Sequence, residues 1–282
     1  MKLVRIGPIG RERPAVLADD GTPLDLSPLV GDIDGTLLGS SLHVVRRALD
    51  AGTLAPLVSA DGRLGSPLAN IGKVVCVGLN YADHARETGV PLPTEPVLFL
   101  KTTDTVVGPN DDVLIPRGSS RTDYEVELAV VIGKTARYLA SPAESRQVIA
   151  GYTISNDVSE REFQLDRGGQ WDKGKSCETF NPLGPWLVTA DEVPDPQALG
   201  LRVWVNDEPR QDGSTADMAF GVDHLIWYIS QFLVLRPGDI VNTGTPAGVA
   251  LGRTEGGYLR AGDVMRLEID GLGAQRQRLV AA

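Results

Sequence analysis

The stretch "RTDYEVELAVVIG", Arg121–Gly133, sets Asp123, Glu125 and Glu127 at alternate positions in a run otherwise rich in Val, Leu and Ile. In an extended strand successive side chains face opposite sides, so the three carboxylates share one face at a spacing of roughly 7 Å. Two carboxylate arms at that spacing can converge on one cation, and without one their charges repel. The alternative is a half-exposed strand with a solvated acidic face, and the triplet alone does not decide against it. A second segment, "GYTISNDVSERE", reads as an apolar strand ending at Asp157, where a helix-like turn begins. A carboxylate at a strand end can enter a cleft, although by itself Asp157 could equally be a helix N-cap. Glu125, Glu127 and Asp157 together offer three oxygen donors. Such a set suits a hard cation, Mg²⁺ or Mn²⁺ with Ca²⁺ also compatible, and leaves positions open to water or substrate. No His–Cys cluster competes for zinc.

"NYADHARETG" carries His84 and Glu87 at i, i+3, one face of a helical turn. A carboxylate beside an imidazole fixes its tautomer and supports it as a base for activating water near neutral pH. Surface pairs of this kind are common, so the spacing alone does not require catalysis. His43 and His224 lie in segments that read as packing helices. The Gly- and Pro-rich "GGQWDKGKSCETFNPLGPW" holds Lys173 and Lys175, either of which could point into a cleft against a developing oxyanion or simply into solvent. "NTGTPAGVALG" offers hydroxyls at Thr243 and Thr245 and glycines that let backbone N–H groups approach an anion. It is not a Walker loop, because no G-K-[ST] follows.

The elements that must hold these groups are mostly strands. "KVVCVGLN" and "PVLFLK" are compact apolar runs flanked by turn residues. "LRVWVND", "DIVNTG", "DVMRLEID" and "AQRQRLV" read as further strands, and "GVDHLIWYISQFL" as a helix. "SPAESRQVIAG" predicts a helix with Ser141 as N-cap, Pro142 in its first turn and Glu144 completing a capping box. Before them, "KLVRI" and "RPAVLADDGTPLDL" predict a small β-meander, and "SSLHVVRRALDAG" an amphipathic helix with a Ser N-cap and Gly52 just past its end. The turn-rich "PLVSADGRLGSPLAN" marks a boundary near Asn70, giving a small N-terminal α+β domain, 1–70, and a second domain, 71–282.

With 282 residues, the chain can bury a large core without disulfides or a structural metal. The net charge of −10 argues against a nucleic-acid surface and against a polybasic membrane anchor. A small anionic substrate is still admissible where a local cation or metal overrides the overall field. Cys76 and Cys177 form no C-x-x-C pair, and Cys76 reads as a small buried hydrophobe. No signal-like segment or 18-residue apolar span is present. These features lead to the expectation of a soluble, cytoplasmic protein.

Taken together and in order, "CVGLNYADHARE", "PVLFLK", "DYEVELAVVIG", "GYTISNDVSERE", "QWDKGKSCETFNPLGPW", "VNDEPRQDGST" and "PGDIVNTGTPAGV" resemble the fumarylacetoacetate hydrolase family. The likeness runs from about Lys73 to the C-terminus, and the layout is similar to the prokaryotic branch with a short N-terminal domain. The resemblance implies a mainly β (α+β) fold, a mixed β-roll catalytic domain with peripheral helices, usually in a homodimer. It implies metal ligands at Glu125, Glu127 and Asp157, and a catalytic dyad of His84 and Glu87. Further, it places catalytic roles on Gln164 and Lys175, and substrate contacts at Thr245 and, more weakly, Lys101. Glu178 departs from the Asp that many relatives carry in "KSCDTF".

The implied activity is hydrolysis of a 2,4-dioxo acid, an acylpyruvate or a diketo-deoxy sugar acid, to pyruvate and a carboxylic acid. The substrate's carboxylate and 2-oxo oxygens would chelate the metal, and His84 would activate water against the distal carbonyl. Lys175, aided by Gln164, would stabilise the oxyanion. The first alternative is a lyase on the same scaffold, such as a metal-dependent oxaloacetate decarboxylase. A catalytically silent binding homologue is the second, and it gives no physical reason to keep like charges together.

Overall fold

The computed structural model describes residues 1–58, 62–253 and 256–282, so that part of the turn-rich 56–70 segment lies outside the described residues. The fold is mainly β, as expected, and consists of two large sheets with a shared core. The larger sheet has the strand order Pro23–Asp25, Arg13–Leu17, Lys2–Ile6, Asn181–Thr189, Ile149–Asn156, Val126–Ile132, Ile240–Asn242, Val74–Gly78 and Val97–Lys101. It is mixed, because Ile240–Asn242 runs parallel to Val74–Gly78 and antiparallel to Val126–Ile132. A second sheet is ordered Glu208–Ser214, Gly200–Val205, Val264–Ile269, Gly273–Ala281 and Val113–Ile115.

The Val126–Ile132 strand explains how the sheets pack. Its even positions, Val126, Leu128, Val130 and Ile132, are fully buried and face the second sheet's Leu201, Val203, Met265 and Leu267. Its odd positions, Ala129 and Val131, face the other way and pack with Leu3, Leu26, Ile33, Leu37, Val45 and Cys76. A strand buried on both sides needs apolar residues at every position, and each buried Val, Leu or Ile side chain contributes about 1.5–3 kcal/mol. The run satisfies that requirement except at Glu127, which lies on the odd face toward the strand's beginning.

Residues 1–58, with 62–70, complete this odd side. Lys2–Ile6 pairs antiparallel with Asn181–Thr189, extending the large sheet, and the Leu42–Asp50 helix buries Val45 against it. A single π-turn, Leu37–Ser41, precedes that helix, and no serine side chain caps it. The predicted helix at "SPAESRQVIAG" is instead a short 3₁₀ segment, Pro142–Gln147, without a Ser141 side-chain cap. Glu144 turns back to accept the Ala140 N–H at 3.1 Å, and Ser145 and Arg146 tie the segment to Asp223. The Val222–Ser230 helix on which it packs therefore dictates its conformation more than local capping does.

Candidate active site and metal centre

The predicted single strand through Arg121–Gly133 is broken. Thr122–Asp123 pairs with Ser159–Glu160, while Val126–Ile132 pairs with Ile149–Asn156 in the register Val126↔Asn156 and Glu127↔Ser155. The chain bends at Tyr124–Glu125, and there the Asp157 N–H donates to the Glu125 carbonyl at 2.9 Å. This register sets Asp157 opposite Glu125, one strand end against another. Glu125, Glu127 and Asp157 each present a carboxylate oxygen within 4.8 Å of the others. All three are buried, at 5%, 1% and 0% exposure, which excludes the solvated acidic face admitted by the sequence.

Such a knot must be compensated, because an unpaired buried charge costs several kcal/mol. The Lys175 ammonium lies 2.7 Å from Glu125 Oε2 and 2.8 Å from Asp157 Oδ2. Lys101 donates to Asp157 Oδ1 and to the Val158 carbonyl. Arg161 spans Glu125 at 2.6 Å, Asp123 at 2.9 Å and Gln164 Oε1 at 3.0 Å. Burial would raise the Glu125 pKa, but Lys175 and Arg161 more than reverse this and hold it below the carboxylate range. Burial likewise opposes the charge on Lys175, yet Asp157 and Glu125 keep it firmly protonated.

Glu127 is the exception. It has no ion-pair partner among the described residues, and its hydrogen bond comes from the Gly244 N–H at 2.7 Å. Burial, then the charges of Asp157 and Glu125, push its carboxyl well above the ordinary range. Four carboxylates, counting Asp123, thus face three cations, and the unbalanced one is Glu127. A hard divalent cation fits this all-oxygen trio, would neutralise Glu127, and would leave the knot with one net positive charge.

The loop after Ile240–Asn242 continues along the same strand. The Thr243 hydroxyl donates to the Leu128 carbonyl at 2.8 Å and that of Thr245 to the Val126 carbonyl at 2.9 Å. Between them Gly244 adopts φ +92°, and a Cβ there would meet Asn80 Cβ at 2.9 Å. Only glycine turns the peptide so that its N–H faces Glu127. Opposite, the Ala82–Thr88 helix ends at Gly89 in the left-handed region. His84 Nδ1 lies 2.9 Å from Glu87 Oε1, and Glu87 also accepts the Gly248 N–H at 2.9 Å. An ionised Glu87 requires the Nδ1–H tautomer, which leaves Nε2 as the basic nitrogen.

These groups meet in one cavity of about 300 Å³, lined by Glu125, Glu127, His84, Glu87, Arg161, Gln164, Lys175 and Thr245 among others. Lys101 is placed differently, behind Asp157 and away from the cavity lining. Thr245 lines the cavity, but its proton is already committed to Val126. Gln164 gives its oxygen to Arg161, and among the described residues its amide nitrogen makes no hydrogen bond inside the chain.

Two participants were not singled out from sequence. Arg161 is the largest fully buried side chain, and the available signal was a lone Arg directly after the carboxylate-rich "NDVSE". Gln211 binds the Val126 N–H, Thr245 Oγ1 and the Pro246 carbonyl, holding the threonine loop to the strand. Asp123, which alternation sets on one face with the two glutamates, instead accepts from Arg161 and from the N–H groups of Tyr124, Ala250 and Leu251.

The chain is similar to known proteins over its whole length. The family model described as Fumarylacetoacetate (FAA) hydrolase C-terminal matches residues 73–280. A protein of Burkholderia multivorans carrying only a provisional hydrolase name is 51% identical over 283 residues, covering 100% of both chains. The crystal structure of a maleylpyruvate hydrolase from Sphingobium sp. SYK-6, in complex with manganese(II) and pyruvate, is similar with a TM-score of 0.83. It is 30% identical and covers 100% of both chains. A 5-carboxymethyl-2-hydroxymuconate delta-isomerase from Mycobacterium smegmatis is similar at 33% identity and TM-score 0.78, covering 100% of this chain and 99% of its own.

Proposed function

The chain belongs to the fumarylacetoacetate hydrolase family of metal-dependent enzymes, and from that premise we propose that it hydrolyses the C3–C4 bond of a 2,4-dioxo acid of acylpyruvate or diketo-deoxy sugar acid type. The products are pyruvate and a carboxylic acid. The observation that carries this reading is Glu127: a buried carboxylate without a cationic partner, in a trio of oxygen donors, on a cavity that also holds a carboxylate-supported imidazole.

A divalent cation held by Glu125, Glu127 and Asp157, Mg²⁺ or Mn²⁺, would supply Lewis acidity toward the 2-oxo acid end of the substrate. The chain's own groups do the rest. Glu87 holds the imidazole as the Nδ1–H tautomer, and His84 Nε2 takes a proton from water, whose oxygen bonds to C4. The Gln164 amide and the Lys175 ammonium donate to the oxyanion formed there. When C3–C4 breaks, its electron pair stays on C3 of the pyruvate fragment, and imidazolium His84 returns the proton to C3. Arg161 acts through Glu125 and Gln164, fixing both.

The similarity to an isomerase favours a second reading, chemistry on the same scaffold that needs enolisation but no attacking water; an oxaloacetate decarboxylase is of that kind. A metal-dependent assay over acylpyruvates, diketo-sugar acids and oxaloacetate separates the two. Pyruvate plus a second carboxylic acid supports hydrolysis, while pyruvate plus CO₂ alone overturns it. No helix among the described residues is long and apolar enough to cross a membrane. Cytoplasmic location and a homodimer belong to the proposal, the latter to be measured by light scattering.

A further inference from the structure

Beside the carboxylates the cavity has an apolar lining of Leu79, Phe99, Trp171 and Leu251, with the more exposed Val90 and Leu165. It begins next to the charged groups, since the Phe99 ring centroid lies 5.1 Å from the Lys175 ammonium. The cationic side chains among its described lining residues are Arg161 and Lys175, and both are bound to Glu125 and its neighbours. The remaining charged side chain on the lining outside the metal trio, Glu87, is a carboxylate and is already engaged by His84 and the Gly248 N–H. Neither fits a second carboxylate on the substrate.

The wall is also built rather than incidental. The Trp171 ring occupies the space left by Gly78, where a Cβ would meet it at 2.3 Å, and it meets Phe99 edge-on with centroids 5.5 Å apart. Next to Gly78, Leu79 adopts φ +54°, a left-handed conformation that is unfavourable for a bulky side chain. Strain of this kind persists where the surrounding structure imposes it, and it recurs at ligand clamps. Here it puts a leucine on the cavity wall.

We propose that the group attached to C4 of the substrate is apolar, an alkyl or aryl chain seated against Leu79, Phe99 and Trp171, and that a terminal carboxylate is excluded. This rests on the 2,4-dioxo acid reading of the same site and selects within it. Diketo-sugar acids, whose hydroxyls would face the same wall without partners, are disfavoured for the same reason. The neighbouring maleylpyruvate hydrolase acts, by its name, on a substrate of the opposite kind.

The test is binding of simple 2-oxo acids to the Mn²⁺-loaded protein by calorimetry, alongside turnover of acylpyruvates. Affinity is expected to rise about fourfold per added methylene from 2-oxobutanoate to 2-oxohexanoate. The dicarboxylate 2-oxoadipate, of equal length, is expected to bind about 50-fold or more weakly than 2-oxohexanoate. Trp171→Ala should flatten the methylene dependence, and so should Leu79→Asn, which keeps a residue tolerant of the left-handed backbone. Equal or tighter binding of 2-oxoadipate overturns the proposal, as does a methylene dependence unchanged in both variants. Binding of the apolar series without turnover of any 2,4-dioxo acid sinks the hydrolase reading while upholding the tail preference. Failure of every 2-oxo acid to bind overturns both.

Discussion

Replacing Glu127 by Gln should make the metal-free protein more stable and the metal-loaded protein inactive. The amide oxygen can still accept the Gly244 N–H, and the new N–H₂ can donate to Glu125 or Asp157, so shape and hydrogen bonding are kept. What is lost is a charge. Two carboxylate oxygens that lie within 4.8 Å of one another repel by about 3 kcal/mol or more at an effective dielectric of 20. Linkage points the same way: burial and the charges of Asp157 and Glu125 push the Glu127 carboxyl above its ordinary value, so folding favours uptake of a proton there. The sign follows from proton counting: the folded state binds the extra proton, so metal-free stability falls as pH rises above 4.5. Without metal, Glu127→Gln should therefore melt about 5–10 °C above the parent at pH 7, and the gap should close toward pH 5.

Metal reverses the order. At one hundred times its dissociation constant, Mn²⁺ should stabilise the parent by about 2.7 kcal/mol, and this gain should shrink sharply in the variant. Thermal melts in chelator and in Mn²⁺ at both pH values measure all of this. A variant that melts below the parent in chelator, or that keeps the parent's full Mn²⁺ shift, would refute the assignment of Glu127 as an uncompensated ligand.

His84→Ala should lower acylpyruvate hydrolysis about 10²–10⁴-fold while preserving the Mn²⁺ melting shift, and any decarboxylation of oxaloacetate should survive it. Arg161→Met leaves Asp123 and Glu125 buried without their guanidinium, and should cost about 3–5 kcal/mol by urea unfolding. Gly244→Ala meets both positive φ and the Asn80 side chain, so it should weaken Mn²⁺ binding more than its stability loss accounts for; calorimetry checks this. Burial pushes the Cys177 thiol up to about 11 and Cys76 well above its ordinary value. A thiol reagent at pH 8 should therefore react slowly with the half-buried Cys177 of the native protein and reach Cys76 only on unfolding.

The strand content and the meeting of Glu125, Glu127 and Asp157 were legible because apolar runs and donor types are local properties. The same logic failed where neighbours decide. Alternation placed Asp123 on a common face with the two glutamates, yet the bend at Tyr124–Glu125 sends its carboxylate to Arg161 and the Ala250–Leu251 backbone. Ser141 and Glu144 spell a capping box, yet the Val222–Ser230 helix holds that segment in a 3₁₀ turn. Lys101 and Lys175 look alike in sequence, and only the packing shows one behind Asp157 and the other on the cavity.

Arg161 shows why the compensating half of a buried site is harder to read than its donor half. Ligands announce themselves by being carboxylates in an apolar run, whereas their counter-ions can come from anywhere the fold delivers a long basic side chain. Here the counter-ions come from three places: the end of the Val97–Lys101 strand, the first turn of the Arg161–Leu165 helix and the end of the Asp172–Lys175 helix. They neutralise all but one of the carboxylates. Had they neutralised every one, a dication would meet a site already balanced and would have to displace a lysine to bind. With Glu127 unmatched, a dication at the proposed site would supply the missing positive charge without displacing a lysine. The Glu127→Gln experiment is built to detect that coupling.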